Sequence, residues 1–211
     1  DYVTLQKLTL TTSGANLDRG FLVQNLNTTD GATNNTIRDV SVTLNRTNTS
    51  SIAIQQITSS TPASALGTNS TNKYLNLTVQ NTYGGVDLNC SSTTDLDAAC
   101  EVGNTTCSAY NTIGNPATAN DIGNGGSQAY GIRATNQSSV KVYNNQVRNV
   151  TGSAIQTDGI VLSGAAGTTE VYNNIVRQIR NSSTSSTTAA AGIGLGHATT
   201  GTVAIRIYNN A

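Results

Sequence analysis

Short runs in which every second residue is apolar recur along the whole chain. Val40-Ser41-Val42-Thr43-Leu44, Leu77-Thr78-Val79, Val140-Lys141-Val142 and Ile205-Arg206-Ile207 are the clearest. A period of two is that of a strand with one buried face, and no stretch carries the 3.6-residue spacing of an amphipathic helix. The runs belong to a larger repeat. Val140-Lys141-Val142-Tyr143-Asn144-Asn145 returns as Thr169-Glu170-Val171-Tyr172-Asn173-Asn174 and again as Ile205-Arg206-Ile207-Tyr208-Asn209-Asn210. Each copy is preceded by a Gly-Ile step, at Gly131-Ile132, Gly159-Ile160 and Gly192-Ile193. Weaker copies fill the first half, where Val3-Thr4-Leu5, Thr36-Ile37-Arg38 and Tyr74-Leu75-Asn76 each precede a second alternating run, with opening strands at Phe21 to Gln24 and Ser51 to Gln55.

Three short strands per repeat, with an Asn-Asn corner between the second and third, predict a chain wound into a three-sided coil. Each strand then pairs in parallel with its equivalent one turn on, about 4.8 Å away. A single turn cannot bury its own apolar face, so the turns must stack. The expected fold is all-β, a right-handed parallel β-helix of about five to six turns, with residues 1–211 as one domain. The Val-x-Val-Tyr-Asn-Asn corner resembles that of the pectate-lyase-like β-helices and their secreted bacterial repeat relatives. The resemblance covers nearly the whole chain but is one of architecture, and a fold alone does not carry a function.

Stacking predicts columns of equivalent residues. Val140, Val142, Val171, Ile205 and Ile207 point inward, while Lys141, Glu170 and Arg206 form an outer column of alternating charge. Tyr143, Tyr172 and Tyr208 form another, read as structural with a carbohydrate-stacking strip as the alternative. Asn144, Asn173 and Asn209 form a third, because Asn accepts left-handed backbone and its amide can bond the copy above.

The opening-strand markers Phe21, Ile52, Ile132, Ile160 and Ile193 leave one long interval, which predicts a loop excursion over residues 83–128. It contains all three cysteines, Cys90, Cys100 and Cys107. Their spacing fits no ordinary zinc pattern, leaving a loop-stapling disulfide among them, free structural thiols, or metal or catalytic use as readings. Long loops are either functional or decorative, and both remain open here. Eleven Lys and Arg balance eleven Asp and Glu, so no long-range positive field draws in nucleic acid. No apolar run is long enough for a membrane span.

Thr157-Asp158-Gly159-Ile160 resembles the Asn-Thr-Asp-Gly motif of polygalacturonase-type β-helix hydrolases, and Gly196-His197 and Ile205-Arg206-Ile207 resemble two later motifs. That resemblance implies Asp158 as a catalytic carboxylate, His197 as its helper and Arg206 as a substrate clamp. The chain departs from the family one turn later, where Ser163-Gly164-Ala165-Ala166-Gly167 has no carboxylate, although glycoside hydrolysis normally needs two. Pectate-lyase relatives place a Ca²⁺ site and a basic residue on the outward face of the opening strands. Here that face is predicted to be Leu22, Ala53, Arg133, Val161 and Gly194, with Arg133 alone charged, so Ca²⁺ is expected only in a lyase and no other cofactor is implied.

Neither end of the sequence carries a polar cap signal, which predicts a segment of a longer solenoid or, alternatively, end-to-end stacking of protomers. These features favour a non-catalytic part of an extracellular or cell-surface repeat protein, a stalk or adhesive surface for a polysaccharide or another surface molecule. A polysaccharide lyase or glycoside hydrolase, or the inert part of one, is the competing expectation.

Overall fold

The computed structural model describes residues 2–106, 109–124, 128–153, 156–183, 189–197 and 203–211. It is a parallel β-solenoid of about six turns. The opening strands Arg19–Gln24, Ile52–Ile57, Gly84–Asn89, Ala129–Thr135, Thr157–Ala165 and Ala190–His197 stack in chain order into a six-stranded sheet. Second and third strands do not form separate walls. They share one bent eleven-stranded sheet, in which Thr36–Thr43 and Lys73–Gln80 run through the corner as single strands. In the upper turns the corner splits them, into Lys141–Tyr143 with Asn145–Gly152 and Gly167–Tyr172 with Ile175–Asn181, before Val203–Tyr208. Among the described residues the only helical segment is one 3₁₀ turn, Ala65–Gly67, and no helix is long and apolar enough to cross a membrane.

The 83–128 stretch is not a single excursion. Gly84–Asn89 is an opening strand in register with both neighbours, and Glu101–Gly103 and Asn111–Ile113 complete the same turn. What projects are the connections between these strands. The turn lacks a Gly-Ile step because its marker is Gly85-Val86. The need for a small residue here is steric: a β-carbon at Gly131 or Gly159 would collide with Val147 or Val176, where the opening and third strands close on each other across the core. Gly20, Ala53 and Gly85 precede the inward Phe21, Ile54 and Val86 in the same way. Register therefore aligns Ile54, not Ile52, with Phe21.

Inside, the columns are Ile54, Val86, Ile132 and Ile160 on the opening strands, Ile37, Tyr74, Val102, Val142 and Val171 on the second, and Val42, Val79, Ile113 and Val147 on the third. All are buried. The Asn-Asn corner divides its work between its two residues. The first takes the left-handed backbone, with φ of 51°, 54° and 53° at Asn144, Asn173 and Asn209. The second carries the amide ladder: Asn111 donates to Asn145 at 2.9 Å, Asn145 to Asn174 at 2.8 Å and Asn174 to Asn210 at 3.0 Å. The ladder expected on the first asparagine thus belongs to the second, whose amide points into the stack and is bonded rather than left as a buried orphan.

Candidate functional site

The outward face of the opening strands gathers the polar groups that stand apart from the repeat. Its central column, read from strand register, is Leu22, Gln55, Asp87, Arg133, Val161 and Gly194. Ala53 faces inward and is fully buried, so Gln55 replaces it, and Arg133 is not alone. Its guanidinium meets Asp87 in a two-pronged pair, Nε to Oδ1 and Nη2 to Oδ2, both at 2.8 Å. Asp87 is fully buried and also accepts from Gln55 Nε2 at 2.9 Å. Gln55 in turn accepts from Arg19 Nε, and Arg19 donates to the Ser50 carbonyl at 2.8 Å. The Arg133 guanidinium lies 4.2 Å from the centre of the Tyr130 ring, near enough for a cation–π contact. Burial pushes the Tyr130 phenol well above its usual range, and the charge on Asp87 adds to this.

Asp158 neighbours Tyr130 in the next turn. It is buried, and two planar amides hold it: Gln156 donates to Oδ1 at 2.8 Å and Gln128 to Oδ2 at 3.0 Å. Burial raises its pKa above the ordinary carboxylate value, against the pull of the two amides. Between Asp158's amides and Arg133 lies a depression of about 260 Å³, lined by Gln128, Gln156, Arg133, Thr135 and Ser163 with Val161 and Leu195 as apolar floor. Amides, hydroxyls and a guanidinium over a small apolar floor suit the hydroxyl-rich, partly apolar faces of a sugar.

Chemistry on this face is limited by how its two acids are held. Asp158 stands two turns from Asp87 and three residues earlier along the strand, which puts their Cα atoms roughly 14 Å apart at the rise and spacing of a sheet. The two acids are also engaged differently: Asp87 is tied to Arg133 and Gln55, and Asp158 is held by two amides. Asp158 and Arg206 sit on different sheets, Arg206 being in the outer column of the second strands, 3.8 Å from Glu170. The backbone of His197 ends the last opening strand, opposite Ala165, and its side chain lies outside the described residues. The hydrolase triad expected from motif resemblance is therefore not assembled by Asp158 and Arg206. Among the described residues no three His, Cys, Asp or Glu side chains converge as a metal site would require.

The tyrosine column exists, with ring centres 5.2 Å apart between Tyr143 and Tyr172 and 5.1 Å between Tyr172 and Tyr208. Rings stacked in parallel at that distance cover the faces between them, and Tyr208 remains 41% exposed. Tyr143 also donates to Glu101 at 3.0 Å. Cys90 and Cys100 are buried free thiols, and Cys107 lies outside the described residues. Burial pushes Cys100 up to about 12, so it is a thiol and not a nucleophilic thiolate at neutral pH.

Asp87, Gln55, Tyr130 and Gln128 went unrecognised in the sequence. The signal that points to Asp87 is Gly84-Gly85-Val86, a small-then-branched step that marks an opening strand and puts Asp87 outward. Comparison with protein families, with curated proteins and with solved structures returns no match for this chain.

Proposed function

We propose that this chain is a non-catalytic part of a secreted or cell-surface β-helix protein, and that the opening-strand face is an adhesive surface for glycans. The observation that carries the reading is the Arg133–Asp87 pair. The partly buried Arg133 holds the fully buried Asp87 carboxylate in a two-pronged pair, which leaves Asp158, among the described residues, as the one acid of this face with no cation beside it, where glycoside hydrolysis normally takes two free carboxyl groups. What the face still offers a ligand is the groove of amides, hydroxyls and apolar floor beside Arg133.

A polysaccharide lyase or hydrolase is the second reading, and one observation favours it: burial holds Asp158 toward its protonated form at the edge of that groove, as a general acid would be held. Both are tested by incubating the whole chain with polygalacturonate, alginate and neutral glycans, with and without Ca²⁺. The expected outcome is retention of the protein by one or more of these polymers, weakened by Gln156→Ala, without new reducing ends or unsaturated products. Turnover that Asp158→Asn abolishes would overturn the adhesive reading in favour of the enzyme.

A further inference from the structure

A second surface, on the third-strand side, is built differently from every other charged column. Arg148 and Arg177 are direct neighbours in register, and Arg180 follows two residues past the bend at the left-handed Gln178, opposite Thr151 of the turn below. The strands that carry them, Asn145–Gly152 and Ile175–Asn181, contain no acid. Like charges on adjacent rungs of a sheet repel, yet none of these three guanidinia joins any ion pair among the described residues. Arg148 lies over Gly114, where a β-carbon would meet its side chain at 3.3 Å, and its buried Nε has no hydrogen-bond partner. Burial, and then the neighbouring charge of Arg177, lower its affinity for its proton.

Past Arg180 the surface enters a pocket of about 230 Å³ lined by Arg46, Asn120, Asn124, Thr151, Ser153 and Ser182, with no carboxylate among the described residues of its wall. Arg46 is fixed there by donating to the backbone carbonyls of Asn120 and Gly123. Four arginines thus lead from the middle of the third strands, around a corner, into a recess of amides and hydroxyls. The rung spacing of about 4.8 Å is close to the length of one sugar unit in an extended polymer.

We infer that Arg148, Arg177, Arg180 and the Arg46 pocket form a binding track for an acidic polysaccharide, whose oxyanions bridge the arginines and whose hydroxyls meet the pocket's amides and hydroxyls. Charge complementarity selects an anionic chain, since an oxyanion between Arg148 and Arg177 turns their repulsion into two charge-assisted contacts. The recess favours a saccharide over single-stranded nucleic acid, because among the described residues it presents no aromatic side chain on which bases would stack. The track is on a different sheet from the opening-strand groove and does not depend on what that groove does.

The test is binding of the whole chain, at low salt, to immobilised dextran sulfate and polygalacturonate, with uncharged dextran, single-stranded DNA and anionic phospholipid vesicles as parallel arms. The expected result is salt-sensitive retention on at least one acidic polysaccharide and none on dextran. Arg177→Gln, an exposed position, weakens it by roughly tenfold, and Arg148→Gln/Arg177→Gln weakens it further. Arg38→Gln, which removes an exposed cation elsewhere, leaves it unchanged. Failure to bind either acidic polymer, binding that survives the double substitution, or equal binding to DNA or vesicles would overturn the proposal.

Discussion

The two outer faces of the same coil handle charge in opposite ways. On the opening strands the ionised groups are drawn in: Asp87 is fully buried, Arg133 folds over Tyr130, and the pair is threaded to Gln55 and Arg19 in the turns below. On the second strands the cations stay largely exposed, Lys73 at 47% and Arg206 at 63%, over half-buried glutamates. There the column runs Lys73, Glu101, Lys141, Glu170, Arg206, alternating in sign at every rung. Two of its contacts are ion pairs, Lys73–Glu101 at 3.3 Å and Arg206–Glu170 at 3.8 Å. A pair out of water binds its partners tightly because neither can be left alone, whereas a solvated ladder biases register gently and each rung is replaceable. Specific geometry is accordingly to be looked for on the first face and alignment of turns on the second.

Removing Asp87 should break this contrast most severely. Asp87→Ala leaves Arg133 with no counter-charge, and Gln55 loses its acceptor. Breaking a buried pair costs about 3–5 kcal/mol. Because the Arg133 side chain keeps 24% of its exposure, water softens the loss, and about 3 kcal/mol is expected, read from urea denaturation. Asp87→Ala combined with Arg133→Leu should recover much of it. A loss under 1 kcal/mol for the single change would mean that the opening face is as solvated as the other.

The charged column and the opening-strand pair were not equally legible. Lys141, Glu170 and Arg206 share one recurring hexapeptide, so their alignment follows from the repeat, as does the tyrosine stack. The lower members, Lys73 and Glu101, open strands that lack the Tyr-Asn-Asn corner, so only the register aligns them. Asp87 was hidden for a related reason: its strand begins Gly-Gly-Val in place of Gly-Ile, and the segment around it reads as Ser/Thr-rich loop. Ile52-Ala53-Ile54 offered two inward candidates one pleat apart, and the register, fixed by contacts with turns far away in sequence, chose the second. Which asparagine of a corner bends and which bonds is likewise decided by side-chain direction, which composition does not reveal. The arginine track needed the register of Arg148 with Arg177 before it could be recognised.

Acid titration should sharpen the comparison within the opening face itself. Asp158 is held by two amides and no cation, so its pKa is raised by burial above the unfolded value of 3.8. The folded state then binds the proton more tightly than the unfolded state. Its contribution is fully present below the unfolded pKa and is lost as pH rises through the higher folded one. Asp158→Asn removes that loss, since either glutamine can turn its own carbonyl toward the new amide. Melting temperatures of the two proteins should nearly coincide at the acid end and diverge as pH increases, with the variant the more stable at neutral pH. A gap that stays constant with pH would show that Asp158 is ionised without cost.

The smallest effect is expected from the ladder on the second strands. Glu170 sits between Lys141 and Arg206 in register, and Arg206 is largely exposed. Glu170→Gln removes both attractions while keeping the shape of the side chain, and cross-strand charge pairs of this kind are worth about 0.5 kcal/mol in total. The change should be largest at low ionic strength and fade toward about 1 M salt, where the screening length falls to roughly 3 Å, comparable with the contacts themselves. Melting curves taken with and without added salt provide the check. If the loss were unchanged in high salt, the glutamate would be acting through packing against the tyrosine stack, and the division between a drawn-in face and a laid-out face would have to be redrawn around Tyr143, Tyr172 and Tyr208.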